Sequence, residues 1–371
     1  MGMFFLRTKI LINDAVNQEI DHIHAERVWI GCDPFLVTNE RVKEIIGNLE
    51  RKNEVSVFSD IVPEPPLEKI ASGIASVVGY KPTIILAIGG GSAIDTAKAV
   101  RFFAQKKFPL HIKTFYAMPT TSGTGSEVTG VAVVTDVQNK TKYPLTDDAI
   151  VPDVALLLPE LVAGCPKSVT AFSGMDVLTH ALEALVATQA NAFSDALAEK
   201  AASLVFEYLP KCYEDGTNLA SRSIMHEASC LAGVAFQNAG LGVSHAIAHQ
   251  IGGQFHLPHG LVNSILLPHV VHYNATDSAA KSKYAVAARK LGIAAWNDDD
   301  AAAVRLLIQK IVSLSVKLNC SQSLTESGVS KEAIASGLGE IIENAQKDFT
   351  YQYNPIVPTK KDLVDLLLAS V

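Results

Sequence analysis

Short β-rich runs alternate with helical patterns up to about residue 165, and after that point only helical spacing remains. RVWIGCD, ending at Asp33, is followed by the helical stretch FLVTNERVKEIIGNL, and VSVFSDI by PLEKIASGIASVVGY. PTIILAI then runs straight into GGGSAIDTAKAVRFFA, and TFYAMP, VAVVTD and DVALLLP add further strands. Such alternation predicts a parallel sheet covered by helices. Downstream, TAFSGMDVLTHALEALVAT, SDALAEKAASLVFEYLP, RSIMHEASCLAGVAFQ and three later segments carry apolar residues at helical intervals. The expected architecture is an α/β nucleotide-binding domain over residues 1–162, then an all-α metal-binding and catalytic domain over residues 163–371. A cleft between them is the expected ligand site, because α/β ligands collect at domain junctions and strand carboxyl ends.

Composition narrows the partners. The formal charge is −7 with no block of lysine or arginine, which argues against a nucleic-acid backbone as ligand. No apolar run approaches the roughly 18 residues of a membrane span. The start MGMFFLRTK lacks a long apolar core and a cleavage site, and Leu6 stands where a myristoylation signal needs Ser or Thr, so a cytoplasmic protein is expected. The five cysteines are scattered without metal-knuckle or redox spacing and read as buried free thiols in a reducing compartment.

Two loops suit an anion. Gly89, Gly90, Gly91 and Ser92 follow a strand and open a helix, so backbone N–H groups and the helix dipole face whatever fills the turn. A plain tight turn explains such a loop as well, and GGGSAID is not the GxGxxG fingerprint of an ordinary Rossmann dehydrogenase. The second loop, Pro119 to Ser126, is dense in hydroxyls and glycines and again follows a strand; its bland reading is a self-capped turn. Two such loops after neighbouring strands favour a dinucleotide. Asp33, ending a strand, is placed to accept from ribose hydroxyls and would repel a 2′-phosphate, which favours NAD over NADP; alone it reads as a turn residue before Pro34.

A metal constellation follows. Asp176 and His180 lie four apart and so share a helical face; His245 and His249 repeat the spacing, and His259 follows in the turn-like HLPHG. Each histidine alone fits a satisfied buried imidazole, but six of the eleven fall between His245 and His272. Three imidazoles and a carboxylate suit a divalent Fe, Zn, Ni or Mn with a position left for substrate. His226, His269 and His272 read as ordinary helix positions.

GGGSAIDTAK, PTTSGTGSEVT, GMDVLTHALEA and GLGVSHAIAHQIGGQFHLPHG resemble the iron-containing (group III) alcohol dehydrogenases, in matching order from about residue 28 to the final helix containing Asn354-Pro355, nearly the whole chain. The resemblance implies a dehydroquinate synthase-like fold and a single Fe2+, or Zn2+ or another divalent ion, held by Asp176, His180, His245 and His259. It implies His249 as the cleft histidine beside substrate and nicotinamide. Gly90, Gly91 and Ser92 would cradle the pyrophosphate, Thr120, Thr121 and Thr124 would contact the nucleotide, Lys142 would reach its ribose, and Asp33 would mark an NAD-preferring member. Two positions depart: Val131 replaces a cofactor-facing Asn of some relatives, and Ile356 an Arg common in others.

DALAEKAA at 195–202 and HAIAHQIGGQFHLPHGL at 245–261 are most similar to the branch that serves bacterial propanediol-utilisation microcompartments. That implies propanal or a close analogue as substrate, microcompartment enzymes as partners, and a homo-oligomer of at least two chains. The expected reaction is NADH-dependent reduction of a small aldehyde, with the metal as Lewis acid and His249 or a cofactor hydroxyl relaying the proton. A lyase of the dehydroquinate synthase type would need a polybasic pocket, yet residues 246–267 contain no lysine or arginine. A non-catalytic microcompartment scaffold is the other rival, and it gives no reason for two anion loops and a metal set in one chain.

Overall fold

The computed structural model describes residues 3–63, 65–136 and 141–371, without the side chains at 136, 141 and 142. Two compact units divide the chain: Leu6–Cys165 with Thr217–Gly233, and Met1–Phe5 with Pro166–Gly216 and Val234–Val371. A single cut at 162/163 therefore differs from the contacts at one place above all. The segment Thr217–Gly233, helical and late in the chain, packs as part of the α/β unit.

That unit holds β1 (Lys9–Ile12), α1 (Asp14–His22), β2 (Arg27–Cys32), α2 (Glu40–Glu50), β3 (Glu54–Phe58), α3 (Leu67–Tyr80), β4 (Ile84–Gly89), α4 (Gly91–Lys107), β5 (Thr114–Pro119), β6 (Val131–Asp136), β7 (Thr141–Thr146) and β8 (Val154–Leu157). Six strands form one parallel sheet in the order β1-β8-β5-β4-β2-β3. The interior strands are apolar almost throughout because both faces are covered. Val28, Ile30, Cys32, Leu86, Ile88 and Met118 pack one way with Val16, Ile20, Val42, Ile45 and Leu49. Trp29, Ile85, Ala87, Phe115 and Ala117 pack the other way with Ile70, Val77, Ile94, Ala97 and Val100.

Three details depart from the sequence expectation. β1, too short and half-exposed to show a pattern, pairs with β8 at the sheet's end. VAVVTD leaves the main sheet to form an antiparallel ribbon with β7. The stretch 35–49 is broken: Pro34–Thr38 winds as a 3-10 turn, and Asn39 caps α2 by accepting from the N–H groups of Arg41 and Val42.

The remaining helices are α5 (Lys167–Val186), α6 (Ala192–Glu214), α7 (Leu219–Ala239), α8 (Val243–Phe255), α9 (His259–Asn274), α10 (Ser278–Lys290), α11 (Asp300–Lys317), α12 (Lys331–Lys347) and α13 (Lys360–Ala369). α5 and α9 are apolar around most of their circumference, as central helices must be, and α5 is buried without a break from Gly174 to Val186. Among the described residues no helix is long and apolar enough to cross a membrane.

Candidate functional site

Strand register builds a candidate site in the α/β unit. Cys32 pairs with Ile88 and Gly89 with Pro119, so β2, β4 and β5 end side by side and their loops emerge together. From β2 the chain moves outward to β3, then returns to place β4 on the other side of β2. That reversal is where open α/β sheets bind ligands.

Asp33 stands at this point with its backbone N–H on Ile88 O, and its Oδ2 accepts from Gly90 N–H at 3.0 Å. A Cβ on Gly89 would strike that carboxylate and come within 2.5 Å of Ala93 Cβ, so glycine is required by close approach. Burial pushes the Asp33 carboxyl above its ordinary value, opposed only by the Gly90 N–H. One of its two oxygens thus already fastens the glycine loop, and one of the loop's N–H donors is spent on it.

α4 starts at Gly91 with no side chain capping it, leaving the positive end of a long helix to the loop. Thr120 N–H donates to Gly89 O at 3.0 Å and ties the two loops together. Across them, a Cβ on Gly91 would meet Thr124 Cγ2 at 2.8 Å, and one on Gly90 would face Thr121 Oγ1 at 3.7 Å. Ser92 is half-buried in the first turn of α4. Lys142 lies on β7, and its side chain is outside the described residues.

Two supports of the second loop escape the sequence reading. Lys98, fully buried, donates to Ser126 Oγ, Thr129 Oγ1 and Val131 O, while Asp95 accepts from Ser126 Oγ and Val133 N–H. Burial draws the Lys98 ammonium down to about 8 and pushes the adjacent buried Glu127 up to about 7. His226, read as an ordinary helix residue, lies 3.0 Å from Ser122 Oγ through Nδ1. Burial draws it down to about 4, so it is neutral at pH 7. The only available signal was polar residues at core-facing helix positions, and that pattern does not say what they touch.

A second candidate site, in the helical unit, stands on α5, α8 and α9. Asp176 and His180 sit one turn apart on α5, His245 and His249 one turn apart on α8, and His259 is the first residue of α9 rather than part of a turn. The Nε2 atoms of His180, His245 and His259 lie 4.0, 3.8 and 3.6 Å from carboxylate oxygens of Asp176. Candidate ligand atoms of Asp176, His180 and His245 all fall within 4.8 Å of one another.

Burial penalises charge on Asp176, but His180, His259, His245 and the Asn263 amide outweigh it and hold the carboxyl below its usual range. Burial, then His180, keeps the His245 imidazole well below its ordinary value and so neutral. Its Nδ1 lies 2.5 Å from Glu183 Oε2, and Glu183 also accepts from the N–H groups of Gly242 and Ser244 at the start of α8. A carboxylate on Nδ1 puts the proton there and leaves Nε2 a lone pair. That Nε2 is buried with no hydrogen-bond partner among the described residues, as suits an atom reserved for a cation. His259, with 39% of its side chain exposed, gives the group an open side.

His249 stands beside these four but has a partner of its own. Its Nδ1 is 2.8 Å from Asp348 Oδ2, and its ring lies nearly parallel to those of His259 and Phe349, at centroid distances of 5.2 and 6.1 Å.

A parallel α/β unit with a glycine-rich and a hydroxyl-rich loop at its strand ends, joined in one chain to a helical unit with a carboxylate amid imidazoles, is the plan of the two-unit metal-dependent dehydrogenases. The chain belongs to the iron-containing alcohol dehydrogenase family: residues 8–159 match the iron-containing alcohol dehydrogenase model, and residues 170–371 the C-terminal model of the Fe-containing alcohol dehydrogenase family.

It is 43% identical over 367 residues, 99% of each chain, to the 1-propanol dehydrogenase PduQ of Citrobacter freundii. It is 37% identical over 329 residues, 85% of this chain and 83% of the relative, to an NADPH-dependent butanol dehydrogenase of Clostridium saccharobutylicum. The crystal structure of a 1,3-propanediol oxidoreductase superposes on it with a TM-score of 0.92 at 30% identity, covering 100% of both chains. The protein is an oxidoreductase, which sets aside the lyase and the scaffold.

Proposed function

We propose that the protein reduces a small uncharged aldehyde, propanal or a close analogue, to its primary alcohol with NADH, at one Fe2+ or Zn2+ held by Asp176, His180, His245 and His259. The observation that carries this is the meeting of three imidazole Nε2 atoms within 4.0 Å of one buried carboxylate. The identity to a 1-propanol dehydrogenase and the lack of any lysine or arginine in residues 246–267 support an uncharged short-chain substrate.

The Asp33 carboxylate beside the glycine loop supports NAD, since it would repel a 2′-phosphate. Gly89 to Ser92 with Thr120, Thr121 and Thr124 would hold the nucleotide, and Lys142 its ribose. A role in propanediol or related fermentation, with microcompartment enzymes as partners and at least a dimer as the working form, extends the same reading.

When bound, the cation supplies Lewis-acid polarisation of the carbonyl and the nicotinamide supplies the hydride. The chain's own groups do the rest. Glu183 fixes the His245 tautomer, Asn263 orients Asp176 by donating to Oδ1 at 2.8 Å, and His249 hands a proton from Nε2 to the oxygen of the new alcohol. Metal-loaded protein given propanal should consume NADH well ahead of NADPH. His259→Ala should lose both the metal and the turnover; turnover by metal-free protein, or a preference for NADPH, would refute the corresponding part.

A further inference from the structure

His249 is gripped by a carboxylate that follows α12, outside the group of Asp176, His180, His245 and His259. Asp348 follows the last residue of α12, and its two oxygens have separate duties. Oδ2 lies 2.8 Å from His249 Nδ1. Oδ1 accepts from the backbone N–H of Thr350 at 2.9 Å and from Thr350 Oγ1 at 2.7 Å. The carboxylate is nine-tenths buried, at 10% exposure, while the His249 side chain is 22% exposed. Burial penalises the Asp348 charge, but His249, first by its charge and then by its hydrogen bond, and Thr350 outweigh the penalty and hold the carboxyl below its usual range.

A carboxylate has no proton to give at neutral pH, so His249 must be the donor across this contact. Nδ1 carries the hydrogen, and in the neutral ring Nε2 is the bare nitrogen.

We infer that Asp348 is the positioning residue for His249: it fixes the Nδ1–H tautomer, so that Nε2 is the one atom through which the ring exchanges a proton with the substrate oxygen. This inference rests on the proton-relay reading of His249 given above. Asp348 touches no reacting atom, and it acts only through the imidazole. In alcohol oxidation Nε2 takes the hydroxyl proton as the O–H bond breaks and the ring becomes the imidazolium; bound NAD+ would be the hydride acceptor. In aldehyde reduction the ring starts as the imidazolium: its Nε2–H bond breaks, the proton goes to the substrate oxygen, and the ring is left neutral with Nδ1–H still on Asp348.

The Thr350 contact makes Asp348→Asn a sharp test. The Thr350 backbone N–H can only donate, so the amide must keep its oxygen on that side and turn its NH2 toward His249. Nδ1 then has to accept, and the ring proton moves to Nε2. Size and shape are unchanged, so the local fold is preserved.

In Zn2+-loaded protein labelled with 15N-histidine, with the His249 signals identified from a His249→Gln variant, wild type should show a protonated Nδ1 and a bare Nε2. Asp348→Asn should show the reverse. Alcohol oxidation kcat should fall by at least about ten-fold, with metal content and alcohol KM unchanged.

A wild-type ring protonated at Nε2, or a tautomer that Asp348→Asn leaves alone, overturns the inference. So does normal turnover in Asp348→Asn when His249→Gln is impaired. If instead the tautomer inverts while both variants turn over normally, Asp348 does position the ring, and it is the relay assigned to His249 that falls.

Discussion

Glu183 shows how one buried carboxylate decides the chemistry of another side chain. It accepts from two N–H groups at the start of α8 and from His245 Nδ1, and it is 2% exposed. Replacing it by Gln keeps the volume but forces a choice. The amide oxygen can serve Ser244, which turns the NH2 toward Gly242 and His245. Nδ1 of His245 must then accept, and its proton moves to Nε2, the atom facing Asp176. Glu183→Gln should therefore weaken Zn2+ binding by about 10- to 100-fold, the usual cost of losing such a support, read by competition with a chromophoric chelator. Unchanged affinity would mean that His245 does not ligate through Nε2. Asp33 has a comparable double duty, since the oxygen that fastens Gly90 fixes where its other oxygen points.

The helix pair α5 and α9 places the ligands, and it does so by near-contact of backbone. A Cβ on Gly260 would overlap Phe172 O and sit 3.2 Å from Asp176 Cβ. Glycine next to His259 is what lets the start of α9 approach α5 closely enough for His259 to reach Asp176. Gly260→Ala should cost about 1–3 kcal/mol of stability by overpacking and should lower metal affinity in the folded fraction, measured by denaturant titration with and without Zn2+. A variant of unchanged stability and affinity would show that the helices yield without moving the ligands. Most helices and the interior strands were legible from periodicity, because burial on one or both faces leaves a repeating trace. β1, α1, β7 and α12 were not, and the ribbon partnership of β6 depends on pairing rather than on local pattern. His259 looked like a turn residue because Pro258 precedes it, yet proline suits the position just before a helix.

Acid stability belongs to the folded chain as a whole. His226 is 1% exposed and titrates near 4 when folded, against an ordinary value of 6.5. Between those values the unfolded chain binds a proton there that the folded chain refuses. Stability contributed by His226 is thus whole above pH 6.5 and drains away as pH falls toward 4, by roughly 3 kcal/mol in total. Glu127 and Glu183, each raised to about 7 by burial, slope the other way over part of that range, so the wild-type profile blends all three. The difference between wild type and His226→Gln isolates the histidine. From urea titrations at several pH values, the wild type should gain on the variant as pH rises from 4 to 6.5. A flat difference would place His226 in water or protonated.

Spacing within a segment was enough to pair Asp176 with His180 and His245 with His249, and to set glycines between a strand and a helix. A turn of helix and the alternation of a strand are local geometry, fixed by the backbone whatever lies beyond. Which segments meet is settled by packing, and one chain's order carries no mark of it. Glu183 reaches His245 over 62 positions, Asp348 reaches His249 over 99, and His226 reaches Ser122 over 104. Those three contacts set tautomers and hold loops. They exist because buried polar groups must find partners inside the fold, and the partner is whichever group the packing brings near.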